Sequence, residues 1–117
     1  MRVSFDHNVP RQLRLHLRGH LVQTAQDRGW DTLANGDRLR TVQRDGFELF
    51  VSCDKDFDRY AGDPQRTVAL LLLNTNHKPS LMAAHQQLAE AVERAVPGSF
   101  EWLMIARTQS PGPFTND

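Results

Sequence analysis

Apolar and polar positions fall along this chain in short blocks whose period changes from strand-like to helix-like and back. Val3 and Phe5 open it as an apolar strand that stops at Asp6. Asn8 is placed as a helix cap and Pro10 suits a first helical turn, so a helix is expected over residues 10–18. It buries Leu13 and Leu17, one turn apart, turns Arg11, Arg14 and Arg18 outward, and ends at Gly19. Residues 20–24 read as a second strand, and residues 25–28 as a polar turn of helix closed by Gly29. Asn35 is placed to cap a helix over residues 36–44, with Leu39 and Val42 inward and Asp45-Gly46 closing it. Residues 47–52 have strand character and lead into a charged loop around Phe57. Residues 67–73, apolar from Val68 onward, look like a strand buried on both faces. Ser80 is placed to cap one long helix over residues 80–96, where Leu81, Ala84, Leu88, Ala91, Val92 and Ala95 recur at helical spacing. Pro97-Gly98 stops it, residues 100–106 form a last strand, and residues 108–117 read as a loose tail.

Strands alternating with helices, one of them apolar throughout, predict an α/β fold. The expected form is a three-layer α/β/α sandwich with a mainly parallel sheet of four to five strands. A chain of 117 residues has room for one core, so residues 1–107 are expected as a single domain and residues 108–117 as a tail. The longest apolar run is far too short to span a bilayer, and no signal segment precedes the first strand. A single cysteine, Cys53, makes no internal disulfide, so a cytoplasmic protein with no membrane contact is expected. Lys plus Arg equals Asp plus Glu at 14 each. That neutrality excludes a general electrostatic coat for nucleic acid, leaves local patches open, and favours association, a homodimer included.

Ligands of open α/β sheets bind beyond the carboxyl ends of the strands. Three expected strands end on polar groups: at Asp6 with Asn8, at Ser52-Cys53-Asp54 with Asp56 and Asp58, and at Asn74-Thr75-Asn76. In a parallel sheet these ends share one edge. Clustered carboxylates repel unless a cation sits among them, and oxygen ligands without paired His or Cys favour Mg²⁺ or Mn²⁺ over zinc. Such a cation can activate water for in-line displacement at a phosphate ester. Asp6 and Asp54 carry this reading best, because each follows an apolar strand directly. The plain alternative is that these acids are turn formers and solvated loop charges. His16, His20 and His85 read as structural, since none pairs with another at metal-ligand spacing. His7 lies beside the site with three roles open: bystander, substrate contact or proton carrier. Cys53 reads as a small residue in a tight site, with no base identified for it.

Four motifs in order resemble one family over nearly the whole chain except the tail. F-D-H-N-V-P followed by R-Q-L-R-L-H-L, N-G-D-R-L at residues 35–39, V-S-C-D-K-D-F at residues 51–57 and L-N-T-N at residues 73–76 are similar to the PIN-like domains related to VapC-type toxins. The resemblance implies a parallel sheet between helices and an acidic cluster that binds Mg²⁺ or Mn²⁺ and cuts single-stranded RNA. It makes Asp6 the first metal ligand, Asp54 the later strand-end ligand, Asp37 the acid at the second main helix, and Asp56 an accessory acid. Ser52 matches a hydroxyl that orders the site, and Asn8 and Asn76 match polar contacts around it. Three positions depart from the pattern: Asp37 stands where Glu is usual, Asp56 where several relatives carry an amide, and His7 where Glu or Gln is frequent.

The expectation is a metal-dependent endoribonuclease, the toxin of a toxin–antitoxin pair with a small antitoxin as partner. Asp6, Asp37 and Asp54 would hold the cation, and Lys55, Arg59 or Arg11 the RNA backbone. The alternative is a catalytically silent PIN-like module that binds RNA or a protein. A phosphoacceptor receiver ranks last, because it wants an adjacent acid pair where this chain has Asp6-His7.

Overall fold

The computed structural model describes residues 1–108. Five strands form one all-parallel sheet: β1 (Arg2–Phe5), β2 (Leu21–Thr24), β3 (Leu49–Ser52), β4 (Ala69–Leu73) and β5 (Phe100–Leu103), in the order β2-β1-β3-β4-β5. Val3, Ser4 and Phe5 pair with Leu49, Phe50 and Val51, so the ends of β1 and β3 lie side by side. The order reverses between these two strands, the kind of crevice where ligands of parallel sheets collect.

Alternation along the strands feeds two apolar clusters. Val3, Phe5, Leu49, Val51, Leu71 and Leu73 join one, and Phe50, Leu70 and Leu72 the other. Helices α3 (Lys78–Ala83) and α4 (His85–Arg94) contribute Leu81, Leu88, Ala91 and Val92 to the first; α2 (Asn35–Arg44) contributes Leu39 and Val42 to the second. Both sides of the sheet are therefore apolar, which is why β4 reads as an unbroken run.

The fold corrects several local expectations. The segment after β1 is a 3₁₀ helix, Arg11–His16, rather than an α-helix over residues 10–18, closed by i→i+3 bonds such as Leu13 N–H to Pro10 O at 3.1 Å. Asn8 does not cap it; its side chain accepts from the Cys53 N–H at 3.0 Å and ties the β1 loop to the end of β3. Thr24 caps the single turn α1 (Ala25–Arg28) in a reciprocal box with Asp27, and Gly29 ends it at φ 73°. Asn35 lies inside α2 rather than before it; Ala34 takes the cap position.

Phe47 and Thr67 are not in strands. The Phe47 N–H closes the end of α2 on Val42 O, while the N–H groups of Thr67 and Val68 go to the Gln43 side chain. The long helix expected over residues 80–96 is two helices broken at Ala84 (φ −98°, ψ 19°). Ser80 is not its cap: it is buried in the first helix, with Oγ shared by His77 Nδ1 at 2.7 Å and the Thr108 N–H at 2.9 Å. The last strand ends at Leu103 rather than residue 106. Of the expected tail, Thr108 is thus tied to the fold, and residues 109–117 lie outside the described residues. No described helix is long and apolar enough to cross a membrane.

Candidate functional site at the carboxyl edge of the sheet

Asp6 directly follows β1 and is fully buried, with its N–H continuing the ladder to Val51 O at 2.8 Å. A buried carboxylate must be surrounded by donors. Ser52, the last residue of β3, donates to Asp6 Oδ2 at 2.6 Å. The His7 N–H donates to Oδ1 at 2.8 Å, and His7 Nδ1 lies 3.0 Å from the same oxygen. The fourth group is Arg38 of α2, 4% exposed, with Nη1 at 3.2 Å from Oδ1 and 3.5 Å from Oδ2.

Asp54 joins this arrangement through Ser52, whose Oγ accepts from the Asp54 N–H at 3.0 Å. The Asp54 carboxylate accepts from the Asp56 N–H at 2.9 Å, capping the 3₁₀ helix Lys55–Tyr60, and from Asn35 Nδ2 at 3.1 Å. Asp6, Asn8, Ser52 and Asp54 therefore stand together at one edge, as the sequence motifs place them.

Asp37 does not join them. On α2, residues 35, 38, 39 and 42 share the inward face at i, i+3, i+4 and i+7 spacing, which leaves residue 37 on the outer side. Its exposed carboxylate pairs with Arg40 at 2.5 Å. Asp56 lines a shallow cleft shared with Lys55, Asp58 and Arg59. Asn76 is exposed beyond β4, and it is Asn74 that is engaged, donating to Ile105 O and accepting from its N–H.

Two residues of the edge escape the sequence reading, Asn35 and Arg38. Their signal is the three-residue spacing that puts them on the face carrying Leu39 and Val42, but a charged residue at such a position reads as solvated until its partner is known.

The Mg²⁺ or Mn²⁺ implied by the family resemblance can be tested against these donors. Both Asp6 oxygens are taken, one of them by a guanidinium; Asp37 is remote; Asp54 is engaged by Asn35 and a backbone N–H. Among the described residues no three His, Cys, Asp or Glu side chains form a metal-holding group. The arrangement does not fit a triad of Asp6, Asp37 and Asp54.

Beside Asp6 opens a cleft of about 330 Å³ lined by His7, Asn8, Arg11, Gln12, Gln26 and Lys78, with Val9 and Pro10 completing it and no acid among them. Arg11 reaches Asp27 at 3.2 Å, an exposed pairing that costs little to loosen.

Cys53, between Ser52 and Asp54, is held as a thiol. Burial pushes its pKa up to about 12, and the Asp6 charge adds to the shift. At pH 8 its thiolate fraction is then on the order of a thousandfold below that of a free cysteine. Alkylation by iodoacetamide is expected to be correspondingly slow in the native protein and fast in guanidinium; equal rates would remove the buried-thiol assignment. The folded state keeps this proton where the unfolded chain releases it, so the contribution to stability is full below pH 9.0 and is lost as pH rises toward about 12.

Comparison with protein-family models, with curated proteins and with solved structures finds no match.

Proposed function

We propose that this chain is a PIN-like module of three-layer α/β/α build that binds single-stranded RNA along the carboxyl edge of its sheet. The observation that carries this reading is the acid-free cleft beside Asp6, where Arg11, Lys78 and His7 come together from the first 3₁₀ helix, the start of α3 and the β1 loop. Two cations and several amide groups on a concave surface suit a phosphodiester backbone. Lys55 and Arg59, beyond β3, share a separate cleft with Asp56 and Asp58 and add no net charge to it. The chain's overall neutrality is compatible with the RNA reading, because the cations are gathered locally.

A second reading, the endoribonuclease, draws on a specific observation of its own. Asp6 and Asp54 sit at the sheet's reversal point, linked through Ser52. That reading requires a cation-holding arrangement at Asp6 and Asp54, and as the toxin of a pair it would need a small antitoxin partner. The donors around Asp6 favour the binding module.

One experiment separates the two. Labelled single-stranded RNA is titrated with wild type and with Arg11→Gln/Lys78→Gln in EDTA, then incubated in Mn²⁺ or Mg²⁺ and sized. The expected result is binding in EDTA that weakens at least about tenfold in the double variant. Its salt slope should be shallower by about 0.7 for each phosphate no longer neutralised. Affinity unchanged in the variant would overturn the cleft as the RNA site. Metal-dependent cutting, abolished in Asp54→Asn, would establish the endoribonuclease in its place.

A further inference from the structure

The Arg38 guanidinium has five N–H groups, and each has an acceptor within reach. Nε donates to Trp30 O at 3.1 Å, and Nη2 donates to Asp31 O at 3.1 Å and Leu33 O at 2.6 Å. Nη1 serves Asp6 and, at 3.4 Å, Asn35 Oδ1. Three of these acceptors are main-chain carbonyls of the loop between α1 and α2, and two are side chains of the strand-end site. A surface arginine that had folded inward by chance would leave donors unmet; this one leaves none, and no buried polar side-chain atom among the described residues lacks a partner.

Arg38 thus does two things a cation does at a clustered-oxygen site. It neutralises the buried carboxylate, and it draws the Asp6 carboxylate and the carbonyl oxygens of the loop before α2 onto one positive centre. A divalent ion approaching Asp6 would meet oxygens already hydrogen-bonded and a fixed positive charge beside them.

We propose that Arg38 is the resident cation of the strand-end site, occupying the place of a divalent metal, so that Asp6 neither needs nor binds one. This role goes beyond RNA binding and is independent of it. The metal site is then latent: removing the guanidinium leaves the Asp6 carboxylate without its counter-charge and frees the Asn35 Oδ1 and the Trp30, Asp31 and Leu33 carbonyls that Arg38 had bound.

The test uses the full chain, MnCl₂ calorimetry and thermal melting in Mn²⁺ against EDTA. In wild type, no saturable Mn²⁺ binding dependent on Asp6 is expected, so wild type and Asp6→Asn give the same titration and neither Tm responds to Mn²⁺. In Arg38→Gln, Mn²⁺ binding is expected to tighten at least about tenfold over wild type, with a Tm higher in Mn²⁺ than in EDTA. Both effects should vanish in Arg38→Gln/Asp6→Asn. Saturable binding by wild type that is lost in Asp6→Asn would overturn the proposal. So would an Arg38→Gln variant that folds and stays indifferent to Mn²⁺. Should Arg38→Gln not fold in EDTA, the comparison of wild type with Asp6→Asn decides alone.

Discussion

Asp6→Ala is expected to cost about 3–5 kcal/mol of folding stability, read as a shift in the urea midpoint at unchanged slope. The size follows from what the substitution leaves behind rather than from what it removes. Arg38 stays buried at 4% exposure, held by three loop carbonyls, with its counter-charge gone. Ser52 Oγ and the His7 N–H lose an acceptor at the same time. Asp6→Asn keeps the shape and one acceptor oxygen and should fall between wild type and the alanine variant. The double variant Asp6→Ala/Arg38→Ala should cost less than the two single changes added together, because the uncompensated charge is no longer there. A change under about 1 kcal/mol for Asp6→Ala would show that the buried pair is not what holds the end of β1 to α2. The same result governs how function is tested: RNA binding by Asp6 variants has to be compared at temperatures where each is folded.

The parallel α/β architecture is legible because it depends on signals that repeat. Alternation on β1 and β3 and the unbroken apolar run of β4 survive errors of one or two residues at any boundary. The boundaries themselves depend on which acceptor wins a given N–H. Phe47 has strand composition, yet its N–H is taken by Val42 O at the end of α2. The break at Ala84 is silent for a different reason: Leu81 and Leu88 lie two turns apart and face the same way whether or not the helix is continuous.

At the site, the strand-end acids and Ser52 are legible because a strand end fixes where a residue goes. Helix residues are fixed only by phase. Read as the acid of the second helix, Asp37 is one position off the inward face, and Arg38, which occupies that face, looks like a solvated charge in the sequence. At this edge the inward position of α2 carries the Arg38 guanidinium, which the buried hydrogen-bonding network around Asp6 holds with every donor met. That is why the strand pattern foretells the architecture more fully than it foretells the groups around Asp6.

Arg66→Ala is expected to destabilise the protein by about 3 kcal/mol, from loss of a buried charged donor to backbone oxygens. Arg66 is only 9% exposed and uses its guanidinium on four carbonyls: Tyr60 at 3.0 Å, Ala61 at 2.7 Å, Val68 at 2.8 Å and Ser99 at 2.9 Å. Those carbonyls belong to the exit of the Lys55–Tyr60 helix, the residue before β4 and the residue before β5. One side chain therefore fastens the amino ends of two neighbouring strands to the segment that leaves the candidate site. Arg66→Lys keeps the charge, but one ammonium cannot reach acceptors that a planar fork spans, so about half the loss or more should remain. Amide exchange gives the local readout: faster exchange at Ala69 and Leu70, whose N–H groups bond to Glu48 O and Ser99 O, with Val3 to Phe5 less affected. Uniform acceleration over all five strands would instead mean that Arg66 acts on global unfolding alone. Wild-type stability in Arg66→Ala would show that water replaces the guanidinium at these carbonyls at no net cost. The expected loss is large because the carbonyls converge on one buried group from separate segments, whereas Arg38 at the opposite edge of the sheet takes its three carbonyls from a single loop.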